Sequence, residues 1–407
     1  MEIHIMSNST VNSVLKIPIS RTSSLLTYSA YTFLSSYSIG GALVLVAWLA
    51  VEFGSIAAVG QLFLTASITD IFFSVLGGTL ADRFNRKTLI FQGLITRAIG
   101  FFIVLVGTTM DADLMMLLFA YTILNSLGMA LISGAIDGVA QSLIEPKRRV
   151  VMALRLSILR QCGIAIGTGS VGFILSYFGS ATTIYIILLI CLLQILMVPL
   201  FSHYLSLHNM PDRESYIKMW ADGLYYIINT PNLISTVLTF GFVYSVGQIT
   251  NMLIPGFVKG LLQSGSDVYG SLEMSWAIGG GCIVMGVTLI PRLLNKPMLE
   301  YYLLSALGVL MIVFSLTRSI STLIIFYAFM GGMFSLIRSI CEGNILLYSE
   351  TTYVGRVRAV SSILKSLIGI VVFSIPSVFT STDVTLLYSI WGFMIFILGT
   401  YLALRRK

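Results

Sequence analysis

Apolar runs of membrane length, about 18 residues or more, recur from Leu25 to Leu404. A hydrocarbon slab about 30 Å thick takes roughly 20 helical residues. A backbone inside it must satisfy its own polar groups, which leaves helices or closed barrels. The runs are too long for barrel strands. They fall near 25–51, 55–80, 88–108, 112–143, 150–178, 181–202, 233–257, 268–290, 298–317, 320–348, 355–380 and 384–404. With 57% hydrophobic and only 10% charged residues, a soluble domain is excluded. The pattern predicts an all-α polytopic membrane protein with twelve transmembrane helices.

The loops carry an orientation signal. One set holds Lys16 and Arg21; Arg83, Arg86 and Lys87; Lys147, Arg148 and Arg149; Arg213 and Lys218; Arg292 and Lys296; Arg356 and Arg358; and Arg405, Arg406 and Lys407. The alternate set holds Glu52, Asp111, Asp113, Asp267 and Asp383, with only Lys259 and Arg318 as basic residues. The positive-inside rule puts the first set and both termini in the cytoplasm, as in a bacterial inner membrane protein. It also accounts for the net charge of +7, so no nucleic-acid partner is implied.

The longest polar break, His203 to Asn232, divides the chain into two sets of six runs. The expected organisation is a cytoplasmic lead over 1–24, a six-helix bundle over 25–202 and a linker over 203–232. A second bundle over 233–404 and a basic tail over 405–407 complete it. Within the linker, Met219, Gly223, Tyr226 and Ile227 share one face of an amphipathic helix.

Between runs two and three stands GGTLADRFNRK, residues 77–87. Its charges, Asp82, Arg83, Arg86 and Lys87, must lie outside the hydrocarbon. The spacing G-x-L-A-D-R-x-x-R-K, starting at Gly78, resembles the loop between the second and third helices of major facilitator transporters. In that family the aspartate caps a helix and pairs with basic residues as a cytoplasmic latch. Asn85 stands where the family usually has glycine. In the linker, Asp222, Gly223, Leu224, Tyr226 and Pro231 resemble the segment before the seventh helix in the enterobactin-exporter and macrolide-efflux branch. Gly355-Arg356-Val357 resembles an element of the same branch. The glycines of run five, Gly163, Gly167 and Gly172, resemble the fifth-helix motif of exporters. Thr168 replaces the usual proline, and a helix-packing role suits small residues there.

Ionisable groups inside the runs are functional candidates by default. Asp70 lies twelve residues before Asp82, Arg97 eleven after Arg86, Asp137 ten before Lys147, and Arg160 eleven after Arg149. At about 1.5 Å per residue, all four lie roughly 15–18 Å from the cytoplasmic ends of their helices. Asp70 and Arg97 are expected to pair. The second half adds Arg338, Glu342 and Lys365, with Arg338 and Glu342 at i, i+4. Four bases against three acids favour an anionic or zwitterionic small-molecule substrate, with protons as the coupling ion. Tyr37, Gln248 and Asn251, on runs one and seven, are the uncharged candidates, while Trp48 is expected at the membrane interface.

No phosphate-binding loop, histidine cluster, paired-cysteine spacing or nucleophile–base constellation occurs, so no cofactor and no enzyme activity are expected. The resemblance implies a monomeric transporter, surrounded by lipid, that exports a small amphiphile such as a siderophore or drug by proton antiport. Proton-coupled import, or a non-transporting sensor on the same fold, are the alternatives.

Overall fold

The computed structural model describes residues 21–110, 113–144, 149–201, 216–288, 298–350, 353–378 and 383–405. Twelve α-helices appear among them: α1 (Arg21–Phe53), α2 (Ile56–Arg83), α3 (Arg86–Thr109), α4 (Leu114–Leu143), α5 (Arg149–Phe201), α6 (Tyr216–Ile228), α7 (Pro231–Gly256), α8 (Ser266–Thr288), α9 (Leu299–Leu316), α10 (Ile320–Tyr348), α11 (Val354–Val378) and α12 (Val384–Arg405). Among the described residues, ten stretches are long and apolar enough to cross a membrane. Their outward faces are apolar too: Ile99, Phe102, Leu196 and Phe393 are all exposed. That is what a lipid-facing surface requires.

Runs five and six form one continuous element, α5, interrupted only at Gly179, whose φ of 80° suits glycine alone. A Cβ placed on Gly41 of α1 would meet both Val171, eight residues before Gly179, and Ile187, eight after it. The arms of α5 therefore run antiparallel along α1, and Gly179 is the hairpin tip. Ser24 Oγ donates to the Leu200 carbonyl at 3.3 Å, near the arm's other end. The remaining membrane-length helix, α8, has 23 residues and carries Asp267 and Glu273, which lower its hydropathy.

Local signals position the turns. Ser55 caps α2, accepting from the Ala58 amide, and Asn85 caps α3, accepting from the Lys87 amide at 2.9 Å. Asn85 thus serves as a capping acceptor, which glycine cannot do. Pro231 opens α7 at its first turn, where a missing N–H costs nothing. The chain of α7 continues through a short π-helical turn, Phe257–Leu261.

The helix α6 docks on the start of α11. Asp222 pairs with Arg356 at 3.5 Å, and Tyr226 stacks on Tyr353 with centroids 4.3 Å apart. The Tyr226 hydroxyl also accepts from the Glu350 amide. A Cβ at Gly223 would lie 2.8 Å from the Arg356 carbonyl oxygen, so the helices meet backbone to backbone. Asp222, Gly223 and Tyr226 sit at i, i+1, i+4 on one face.

Helices α1, α2 and α5 meet α7, α8 and α11 along a seam. A cluster of these contacts lies at the end carrying Glu52 and Asp267, the acidic end. Lys259 Nζ donates to the carbonyls of Val51 and Glu52, both at 3.2 Å. Trp48 stacks on Tyr269, and Phe63 on Phe373. Ser266 Oγ donates to the Gly172 carbonyl, and Gly172 and Gly270 bring the backbones of α5 and α8 together. Trp48 is buried within this closure rather than placed at the membrane interface.

Candidate functional site

Below the closed acidic end lies a cavity of about 370 Å³. Its walls are mostly apolar, from α1 and α2, with a polar strip of Arg97, Thr122, Asn125, Ser126 and Asn251. Arg97 on α3 is 1% exposed. Its Nε donates to Asn125 Oδ1 at 3.1 Å and its Nη2 to Ser38 Oγ at 3.2 Å. Nη1 is buried without a hydrogen-bond partner. Gly128 on α4 makes room for this side chain: a Cβ there would lie 2.6 Å from Arg97 Cγ. A buried guanidinium nitrogen without an acceptor is costly.

Asp70 and Arg97 do not form the expected pair. Arg97 is held by Asn125 and Ser38. Asp70 lies within electrostatic reach of Ser126 on α4 and of Lys365 across the seam. The choice has a steric cause. Arg97 is anchored against α4 and α1, whereas the face of α2 bearing Ser67 and Asp70 looks toward α11 (Ser67 Oγ lies near Gly369).

Lys365 leads to a second hollow, about 350 Å³ and more polar, lined by Tyr244, Glu342, Arg358, Ser361, Ser362 and Lys365. Lys365 Nζ lies 5.3 Å from the Tyr244 ring centre. Glu342 approaches Arg338 at 3.7 Å, both partly exposed, and Arg338 also lies over the Phe334 ring. Gln248 Nε2 donates to the Lys365 carbonyl at 3.1 Å, fixing α7 to α11. The two hollows are thus linked by a polar path that runs Arg97, Asn125, Ser126, Asp70, Lys365, Glu342. Ser67 against Gly369 and Asp70 beside Lys365 continue the seam from the acidic end toward the basic loops.

The other candidates fall as follows. Asn251 lines the first cavity. The Tyr37 hydroxyl accepts from Ser170 Oγ at 2.8 Å, tying α1 to α5. Gly163 and Gly167 lie against the α1 backbone at Phe33 and Tyr37, and Gly172 against α8. Arg160 shares the α5 face of Gly163 and is exposed. Asp137 lies on α4, but its side chain is outside the described residues, as are those of Gly78, Asp82 and Arg83. Arg86 and Lys87 open α3. The loop around Arg292 and Lys296, residues 1–20, the linker over 203–215 and the last two residues also lie outside them.

Two buried carboxylates escaped the sequence reading: Glu300, at the start of α9, and Glu273. Glu273 on α8 is 5% exposed and accepts from the Tyr327 hydroxyl at 2.9 Å. Its presence inside run eight was the available signal. Among the described residues, no group of three or more His, Cys, Asp or Glu is placed to hold a metal ion.

The family model of the Major Facilitator Superfamily matches residues 28–374. The chain belongs to this superfamily. No curated protein matches it at a significant level. Among solved structures, a bacterial homologue of the iron transporter ferroportin, in an inward-facing state, is similar at 12% identity. That match covers 94% of this chain and 99% of the other, with a TM-score of 0.76. The nucleoside transporter NupG is similar at 14% identity and a TM-score of 0.70, covering 94% and 99%. The peptide transporter POT in complex with sulfate is similar at 11% and 0.72, covering 93% of each chain. At these identities the likeness concerns the fold. This superfamily member is a multi-pass membrane transporter with a small-molecule substrate, and its cavities sit where its helices meet.

Proposed function

We propose that this chain is a secondary transporter that moves a small anionic or zwitterionic amphiphile out of the cell by alternating access, coupled to protons. Twelve passes form two halves, the first ending with α5 and the second starting with α7, with both termini in the cytoplasm of a bacterial inner membrane. The hairpin in α5 and the membrane-length α8 supply the two passes beyond the ten apolar stretches. The observation that carries the substrate class is Arg97: a buried guanidinium with one nitrogen unpartnered, in the wall of a mainly apolar cavity. An anionic group on the cargo would complete its hydrogen bonds while the apolar body fills the rest.

The contacts that close the acidic end support a state open to the cytoplasm. Asp70 and Lys365 bridge the halves at mid-depth, so a cargo anion that draws on Lys365 would loosen that bridge. Of the carboxylates singled out in the sequence, Asp70, Asp137 and Glu342 are the ones proposed to take the proton. The cavity volume lies at the small end for ligand sites, which favours a drug-sized compound or compact chelator over a large siderophore. Uptake by the same cycle is the competing reading, since an alternating cavity has no built-in direction.

Mass spectrometry of spent medium and cell contents, with and without the protein under iron limitation, tests this. Export predicts an anionic amphiphile that accumulates in the deletion strain and disappears from its medium. Depletion inside those cells would establish import, and no changed compound would refute the reading.

A further inference from the structure

The buried carboxylate of Glu273 plays no part in the site described above. It lies seven residues into α8, about 10 Å below the acidic end. The groups facing it are three tyrosines: Tyr269 on its own helix, Tyr327 on α10 and Tyr388 on α12. No lysine or arginine among the described residues neutralises it, and α5 and α7 present no charge to it there. An ionised carboxylate in such a setting has one hydroxyl donor in place of its water shell.

The helix that buries it is also the one that closes the acidic end. Ser266, Gly270 and Met274 of α8 meet Gly172 and Gly169 of α5. Tyr269, one turn above Glu273, stacks on Trp48 of α1. The Trp48–Tyr269 stack thus stands between Glu273 and the acidic end.

We propose that Glu273 is a proton-binding group coupled to the acidic-end gate: it carries a proton while α8 is packed on α1 and α5, and ionises when that end opens to water. Protons from the outside then favour the cytoplasm-facing state. This inference rests on the alternating-access reading, but not on the identity of the cargo.

The test is an electron–electron distance measurement on full-length protein in lipid nanodiscs. Spin labels are placed at Phe53→Cys and Leu261→Cys, with Cys162, Cys191, Cys282 and Cys341 replaced. The inference expects the distance to shorten as pH falls, and Glu273→Gln to hold it short at every pH. Tyr327→Phe removes the donor that stabilises the ionised form, so its transition moves up by about one pH unit. A distance that ignores pH, a Glu273→Gln protein with the unmutated response, or an unmoved transition in Tyr327→Phe would each overturn it. Lost pH response beside intact cargo movement refutes this inference alone. Intact pH response without cargo movement refutes the substrate reading alone.

Discussion

Substituting alanine at Gly172 isolates the closure of the acidic end from the stability of the fold. A Cβ at this position would lie 2.6 Å from both Gly270 Cα and the Ser266 carbonyl oxygen. Ordinary carbon contacts need about 3.5–4.0 Å, so α5 and α8 must part by roughly 1 Å. Both obstacles are backbone, which cannot swing aside as a side chain would. Overpacking of this kind typically costs about 1–3 kcal/mol. The cost falls only on the state in which α5 and α8 touch. Taking about 2 kcal/mol, the closed-to-open ratio at the acidic end falls about 30-fold. The assay is the label distance between positions 53 and 261 at fixed pH. Gly279→Ala is the control, since its Cβ would strike the Ala328 backbone within the α8–α10 pair. That change should lower thermal stability without altering the closed fraction. If Gly172→Ala leaves the distance distribution unmoved, or Gly279→Ala moves it as far, the reasoning fails.

Three further outcomes are expected. Gly167→Ala, whose Cβ would meet the Tyr37 backbone, should lower stability by about 1–3 kcal/mol in thermal unfolding, while Gly286→Ala, with open space around it, should be nearly neutral. Tyr226→Ala removes the stack on Tyr353 and the bond to the Glu350 amide, so hydrogen exchange should rise in 216–228 and leave α9 and α12 unchanged. Lys259→Met removes two hydrogen bonds from a charged donor and should lengthen the 53–261 distance, with a loss of about 1 kcal/mol after solvent screening.

Much of this arrangement is legible in the sequence because lipid imposes a simple rule on helix length. The runs give the helices to within a few residues, and the loop charges mark which ends lie together. Burial is legible too: an arginine eleven residues into an apolar helix needs cover, and Arg97 is almost wholly buried. Partner choice is not legible. Asp70 faces Lys365, far away in the chain, because helix rotation and tilt decide which faces meet, and these follow from packing over the whole bundle. Counting inward from the basic loops does not reach Glu273. It lies inside run eight but near the other end, six residues beyond Asp267. Trp48 followed a compositional expectation for aromatics at helix ends, which the stack on Tyr269 overrides. Asp222, Gly223 and Tyr226 read as a pattern without a purpose until α6 is seen against α11.

The account depends most on Arg97 receiving an anionic group from the cargo. The direct measurement is flux of the compound identified by metabolite comparison in reconstituted vesicles, unmutated protein against Arg97→Met. Thermal stability and the 53–261 distance serve to show that the fold persists. The account predicts flux in the unmutated protein and at least a tenfold loss, by about 1.4 kcal/mol or more of lost binding, in the folded variant. Arg97→Met moving the same anion at the unmutated rate would contradict it.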